Sequence, residues 1–210
     1  MSNFDKINEY CEVHTTPASA VLKELERVTH MKTLAPQMLS GHLQGSFLRF
    51  ISSILQPAAI LEIGTFTGYS AICLAEGLAE GGVLHTIDPN PEIKHISDAF
   101  FEKAGLSDKI VAHLGKAEDI IPKLDLLFDL VFIDAGKLEY GLFYDLVIDK
   151  VRKGGIILAD NTLWSGKVLL PEKDADTQAI DDFNKKIQND NRVENLLMPI
   201  RDGLMMIRKL

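Results

Sequence analysis

Four residues in the second half of the chain have the types and spacing of a cation site with a base beside it. Asp134 and Lys137 stand three residues apart, and Asp160 and Asn161 are adjacent. Two carboxylates and an amide oxygen, with water completing six-fold coordination, suit Mg²⁺. Without a cation, two close carboxylates repel each other and one tends to keep its proton. A lysine beside such a cation is less stable when charged, so Lys137 is a candidate general base.

Each of these residues also has an ordinary structural interpretation. Asp and Asn after a strand are common turn residues and helix caps. Lys137 is equally compatible with an exposed lysine at the start of a helix. The metal site is therefore predicted only if the fold brings Asp134, Asp160 and Asn161 together.

A turn between Gly64 and Gly68 is a second candidate site. The apolar run 58–63 leads into it, and apolar residues at helical spacing follow it. A strand, a glycine turn and a helix in this order bind nucleotide-like ligands in open α/β sheets. The dinucleotide fingerprint needs three glycines in G-x-G-x-x-G, and this turn has two. Glu62 would repel a pyrophosphate and favours a positively charged ligand, while Asp88, after the next strand, suits the hydroxyls of a ribose.

The elements that must position these residues alternate along the chain. After Pro57, strand-like runs and helical patterns follow one another, which predicts an α/β fold with a parallel sheet covered on both faces. Before Pro57 the pattern is helical, from Pro17 and again over 43–55. Asp202-Gly203 indicates a hairpin near the end of the chain. The predicted strands are 58–63, 83–88, 109–113, 128–134, 155–160, 193–199 and 203–208, and the later helices are 69–79, 91–104, 117–124, 140–151 and 176–189. Gly154-Gly155 is expected to end the last crossover.

Composition narrows the class of protein. The chain has 210 residues, 46% of them hydrophobic and 25% charged, which predicts one globular domain. The net charge of −8 argues against a broad nucleic-acid surface. No apolar run approaches the ~20 residues of a membrane span. The polar N-terminus does not resemble a signal peptide, and Cys11 and Cys73 are far apart, so a cytoplasmic location is expected.

Four stretches of the chain resemble the class I, S-adenosylmethionine-dependent, divalent-metal-dependent O-methyltransferases, which include caffeoyl-CoA and catechol O-methyltransferases and bacterial relatives. The stretches are 61–70, 132–137, 160–166 and 197–203. The resemblance implies a Rossmann-like fold with a seven-stranded, mostly parallel sheet of order 3-2-1-4-5-7-6, strand 7 being antiparallel. It also implies a single domain over 1–210, with a helical cap region over 1–56 and a cofactor-binding core over 57–210, and a homodimer.

The resemblance also implies roles for individual residues. Lys137 would be the base. Apart from the resemblance, Trp164 and His42 are predicted to lie against an aromatic small-molecule substrate, and Trp164 is equally compatible with structural packing under the loop that follows it. The metal, Mg²⁺ with Ca²⁺ or Mn²⁺ as alternatives, would be held by Asp134, Asp160 and Asn161. The cofactor, S-adenosylmethionine, would contact Leu39, Ser40, Glu62, Gly64, Thr65, Ser70, Asp88, Ala117 and Asp134. The implied reaction is methyl transfer to a metal-bound hydroxyl of a catechol-like molecule.

One position departs from the family, and other functions stay open. The family usually has Asp-Ala-Asp-Lys, whereas here Gly136 replaces the second Asp, which reduces the local charge before Lys137. One alternative is O-methylation of a hydroxylated wobble uridine in tRNA, which the acidic charge disfavours. Another is a non-catalytic cofactor-binding protein, and a third, a nicotinamide dehydrogenase, is disfavoured by Glu62 and the absent glycine.

Overall fold

The fold is a seven-stranded sheet with helices on both faces, seen in a computed structural model that describes residues 3–210. The strand order is β3-β2-β1-β4-β5-β7-β6, and β7 runs antiparallel to both of its neighbours. The strands β1 to β7 are Ala59–Ile63, Val83–Asp88, Ile110–Leu114, Phe128–Ile133, Val151–Asp160, Val193–Met198 and Leu204–Lys209. The helices α1 to α8 are Asn3–Val13, Ala20–Lys32, Gly41–Leu55, Tyr69–Ala75, Pro91–Lys103, Ala117–Ile120, Tyr140–Ile148 and Ala175–Gln188. The predicted fold class, strand order and antiparallel β7 are confirmed.

The central strands are apolar on both faces because helices cover both. All five residues of β1 are buried, and successive side chains of a strand point to opposite faces. Ile60 therefore packs with α2, α3 and α4, while Leu61 packs with α7 and α8. Two apolar cores result, one on each side of the sheet, and they fix the strand ends between them.

The strand order reverses at β1, which pairs in parallel with β2 on one side and with β4 on the other. Chain segments leave β1 and β4 toward opposite faces of the sheet, since α4 belongs to one apolar core and α7 to the other. In open α/β sheets, such a switch point leaves a crevice outside the carboxyl ends of the strands. This crevice is where the candidate residues meet.

Several element boundaries differ from the sequence prediction. Gly154-Gly155 does not end the crossover; both glycines lie inside β5, which begins at Val151. Gly154 has a φ of +75°, and the β4–β5 register shifts between Phe128 and Leu130, so the strand starts with a bulge. Helix α4 ends at Ala75, earlier than the predicted 79. Within residues 3–210, no helix combines the length and apolar character needed to cross a membrane.

Candidate active site

A cavity of about 1490 Å³ opens at the carboxyl ends of β1, β2, β4 and β5. It brings together twelve of the predicted site residues, from seven separate segments of the chain. They are Leu39, Ser40, Gly64, Thr65, Ser70, Asp88, Ala117, Asp134, Lys137, Asp160, Asn161 and Trp164. Glu62 and His42 do not line this cavity.

The turn after β1 passes so close to β4 that it needs a glycine. Gly64 has a φ of +102°, and a Cβ built on it would lie 1.9 Å from the backbone oxygen of Asp134. Gly68 has a φ of +92°, and a Cβ there would lie 2.6 Å from the Phe101 ring. The two glycines therefore allow the turn to lie flat against its neighbours, which leaves room for a ligand above it.

Asp88, at the end of β2, holds the shape of this turn. Its Oδ2 accepts a hydrogen bond from the backbone N–H of Phe66 at 2.8 Å, and its Oδ1 accepts one from Asn90 at 2.9 Å. Phe66 has a φ of +47°, so the bond to Asp88 supports an uncommon backbone conformation. A carboxylate oxygen accepts more than one hydrogen bond, so Asp88 can also bind a ribose at the cavity wall.

Glu62 lies under the cavity floor and is fully buried. Its Oε2 accepts a hydrogen bond from Thr86 Oγ1 at 2.6 Å. Burial raises the pKa of Glu62 to about 8, against the opposing effect of the Thr86 hydrogen bond. Its Oε1 is buried and has no hydrogen-bond partner among the described residues. An unpaired buried oxygen is costly, and this one lies beneath the glycine turn and not on the cavity wall.

Asp134, Asp160 and Asn161 meet where β4 and β5 end. Asp160 is 2% exposed, and its pKa is raised to about 6, first by burial and then by the negative charge of Asp134. The two neighbouring strands thus bring both carboxylates within range of each other. Among residues 3–210, no group of three or more His, Cys, Asp and Glu is arranged to hold a metal. The candidate set is instead two carboxylates plus the Asn161 amide oxygen, which is a hard-cation donor set.

The segment after β5 is fixed by the β6–β7 turn. Thr162 N–H donates to Gly203 O at 3.0 Å, and Leu163 N–H donates to Asp202 O at 2.9 Å. Asn161 and Trp164 have φ values of +56° and +48°, which turns both residues out of the strand direction. Trp164 lines the cavity, and its Nε1 is buried without a hydrogen-bond partner in the described part of the chain.

Lys137 is bonded to three oxygens at this edge of the cavity. Its Nζ donates to Asp134 Oδ1 at 3.2 Å, to Asn161 Oδ1 at 2.7 Å and to Tyr140 Oη at 2.7 Å. It also lies 5.9 Å from the centre of the Trp164 ring, within range of a cation–π contact. Lys137 is therefore held inside the site by these contacts, and the interpretation of Lys137 as an exposed lysine is wrong.

Arg201 is a site residue that sequence reasoning missed. Its Nη1 donates to Ser40 O and to the Gln44 Oε1, and its Nη2 donates to Leu39 O at 3.4 Å. It thereby ties the segment before α3 to the turn between β6 and β7. The Asp202-Gly203 signal marked this turn only as a hairpin, and the contact joins residues about 160 positions apart, so no local pattern could reveal it.

His42, which was predicted to lie against the substrate, does not line the cavity. The chain turns at Gly41, whose φ is +77°, and His42 then enters the first turn of α3. Leu39 and Ser40, just before that turn, are the residues that line the cavity. The direction of α3 thus takes His42 away from the cavity wall.

Known proteins similar to this chain are O-methyltransferases and other methyltransferases. A family model described as O-methyltransferase matches residues 12–210. A probable caffeoyl-CoA O-methyltransferase 2 of Dictyostelium discoideum is 32% identical over 98% of this chain and 92% of its own length. An SAH-bound methyltransferase of Podospora anserina is 30% identical, with a TM-score of 0.91 over 98% of this chain and 94% of that one. An O-methyltransferase of Bacillus cereus in complex with SAH is 28% identical, with a TM-score of 0.91 over 98% and 97% of the two chains.

Proposed function

The chain belongs to the class I S-adenosylmethionine-dependent O-methyltransferase family, and on that premise we propose that its acceptor is a catechol-like small molecule bound through a divalent metal. When bound, S-adenosylmethionine supplies a sulfonium methyl group, and a divalent metal supplies a Lewis acid that acidifies a coordinated hydroxyl. The main support for this proposal is the convergence of four side chains at one edge of the cavity, beside the Gly64 turn. They are Asp134, Asp160, Asn161 and Lys137.

The residues of the first half of the cavity fit the cofactor. Gly64 and Thr65, at the glycine turn above the buried Glu62, line the part of the cavity that would hold the methionine end of the cofactor. Asp88 offers acceptors for a ribose, and Ala117 and Ser70 line the same region. The two solved structures in complex with SAH, from Podospora anserina and Bacillus cereus, support the same ligand class here.

The residues of the second half fit a divalent metal. Two carboxylates and an amide oxygen are hard ligands. Burial, and then the negative charge of Asp134, raise the pKa of Asp160, and a cation bound here would offset both effects. An ammonium, that of Lys137, already bonds to two of the three proposed ligands. A positively charged group is thus favoured at this position.

Lys137 and Trp164 would act on the acceptor. An ammonium cannot accept a proton, so Lys137 would first lose one to solvent. The neutral amine, next to the Asn161 amide oxygen, would then be in position to take a proton from an acceptor hydroxyl held at the metal site. Trp164 would form one wall against an aromatic ring. Holding the acceptor oxygen in line with the methyl donor would supply most of the acceleration, since orientation is worth roughly 7–11 kcal/mol.

Gly136 is compatible with this function. A Cβ built on Gly136 would lie 2.5 Å from Glu139 Oε2. The glycine therefore leaves room for the Glu139 carboxylate, which brings negative charge back to the loop before Lys137. An aspartate at position 136 would have to displace Glu139.

A panel of acceptors tests the proposed function. Purified protein with labelled S-adenosylmethionine and Mg²⁺ is offered a catechol, a caffeoyl thioester, a monophenol and tRNA carrying 5-hydroxyuridine. We expect methyl transfer to the ortho-dihydroxy compounds and none to the monophenol, because only adjacent hydroxyls can chelate a metal. Transfer to tRNA alone would support the tRNA reaction instead, and cofactor binding without any transfer would support a non-catalytic protein.

A further inference from the structure

The Lys137 side chain bonds to two oxygens that a metal would need. Its ammonium contacts Asp134 Oδ1 at 3.2 Å and Asn161 Oδ1 at 2.7 Å, and the side chain is only 11% exposed. Both oxygens belong to the metal-ligand set on which the proposed function depends. A divalent ion and this ammonium would repel each other strongly at such distances, so both cannot hold these oxygens together.

The third partner of Lys137 is not a metal ligand. Tyr140 Oη accepts a hydrogen bond from Lys137 Nζ at 2.7 Å. Tyr140 is fully buried, and its Oη donates to the backbone oxygen of Asp160 at 3.0 Å. The hydroxyl is therefore fixed at the end of β5, and the ring lies below the ammonium, whose Nζ is 4.8 Å from the ring centre.

We propose that Lys137 fills part of the metal site until a divalent ion displaces it, and that Tyr140 then holds the displaced ammonium beside the site. Tyr140 is a positioning residue in this scheme: it acts through Lys137. It gives the lysine a favourable place that does not use a metal ligand, and it keeps Nζ next to the acceptor. Metal binding and the position of the proposed base are thereby linked.

Titration of Mg²⁺ into the whole cofactor-free protein, followed by calorimetry without any acceptor, tests this linkage. Lys137→Met removes the competing ammonium, so we expect Mg²⁺ to bind at least tenfold more tightly. Tyr140→Phe removes the one partner that the ammonium can keep once a metal takes Asp134 and Asn161, so displacement would leave the ammonium without a hydrogen-bond acceptor among these three residues. We expect about fivefold weaker binding, the effect of one hydrogen bond.

The double variant separates positioning from a general structural effect. In the Lys137→Met background, Tyr140→Phe should leave Mg²⁺ affinity unchanged within about twofold, because no ammonium remains to be positioned. Equal weakening by Tyr140→Phe in both backgrounds would overturn the role of Tyr140. Equal Mg²⁺ affinity in the wild type and Lys137→Met would overturn the competition.

Two controls match the substitutions. Tyr144→Phe alters a buried tyrosine one turn later on α7, whose hydroxyl bonds to Asp190 at 2.8 Å, and should not change Mg²⁺ affinity. Lys153→Met removes an exposed lysine near the other end of β5 and should not change it either. Failure of the proposed function has a different result: neither Mg²⁺, Mn²⁺ nor Ca²⁺ would bind to any variant.

Discussion

Gly64→Ala should destabilise the protein and weaken cofactor binding through one close contact. The new Cβ would lie 1.9 Å from the Asp134 backbone oxygen, about 1.4 Å short of an ordinary C···O contact of roughly 3.3 Å. The oxygen belongs to the backbone and the Cβ is attached directly to a backbone atom, so neither can rotate away and β1 and β4 must separate at the site. Forcing an extra group into packed surroundings costs about 1–3 kcal/mol, and a non-glycine residue at a φ of +102° costs about 1–3 kcal/mol more. We therefore expect a loss of about 2–6 kcal/mol in the free energy of unfolding.

Gly81→Ala is the matched control for the backbone conformation alone. Gly81 has a φ of +73°, is exposed, and has no atom within 4 Å of a built Cβ. Gly81→Ala should therefore lower the free energy of unfolding by only about 1–2 kcal/mol. Urea unfolding followed by circular dichroism gives both values, and calorimetry with S-adenosylhomocysteine gives the cofactor affinity.

The two variants should differ in both measurements. Gly64→Ala should lose more stability than Gly81→Ala and at least tenfold in cofactor affinity, whereas Gly81→Ala should bind the cofactor normally. Equal losses of stability, or normal cofactor binding by a folded Gly64→Ala protein, would refute the inference that the turn must lie flat against β4.

Three further predictions concern residues outside the metal-ligand set. The rings of His85 and His113 bond to each other at 2.9 Å, and burial lowers the pKa of both below the ordinary value near 6.5. The stability that the neutral pair contributes is therefore present above pH ~6.5 and is lost as the pH falls below that value. The difference in unfolding free energy between wild type and His85→Gln should therefore shrink on acidification from pH 7.5 to 5, and a constant difference would contradict this. Arg201→Met should raise the KM for S-adenosylmethionine by about tenfold in steady-state assays, because Ser40 loses its hydrogen bond to the β6–β7 turn. An unchanged KM would contradict a role of this hydrogen bond in cofactor binding. Asp129 Oδ2 accepts hydrogen bonds from the N–H groups of Ala58 and Ala59, where β1 starts, at 2.8 and 3.0 Å, far from the cavity. Asp129→Ala should therefore lower the free energy of unfolding in urea by about 1–3 kcal/mol and leave the cofactor affinity normal. Weaker cofactor binding would contradict this separation.

The sequence predicted the sheet well because apolar periodicity and parallel strand topology are local and repetitive signals. It failed at Gly154-Gly155, where two glycines suggested a break. A glycine at a φ of +75° can also form a bulge, and the strand continues through it. Whether such a pair ends a strand or bends it depends on the partner strand, which local composition does not specify.

The sequence predicted those site residues that lie at or directly after the end of a strand. Asp88, Asp134 and Asp160 line the cavity because parallel strands end at one edge of a sheet. Glu62, one residue before the end of β1, is buried under the floor, where Thr86 donates a hydrogen bond to it. Arg201 was missed because its partners come from a distant segment.

The dependence of methyl transfer on a metal at Asp160 tests the proposed function most directly. Protein stripped by a chelator is mixed with labelled S-adenosylmethionine and a catechol, and the rate is followed as Mg²⁺ is added back. We expect background rates without Mg²⁺, full recovery in the wild type and no recovery in Asp160→Ala, with cofactor affinity in that variant within about threefold of wild type. Full catechol methylation by the chelated protein, or recovery by Asp160→Ala equal to that of the wild type, would contradict a metal-bound acceptor at this site.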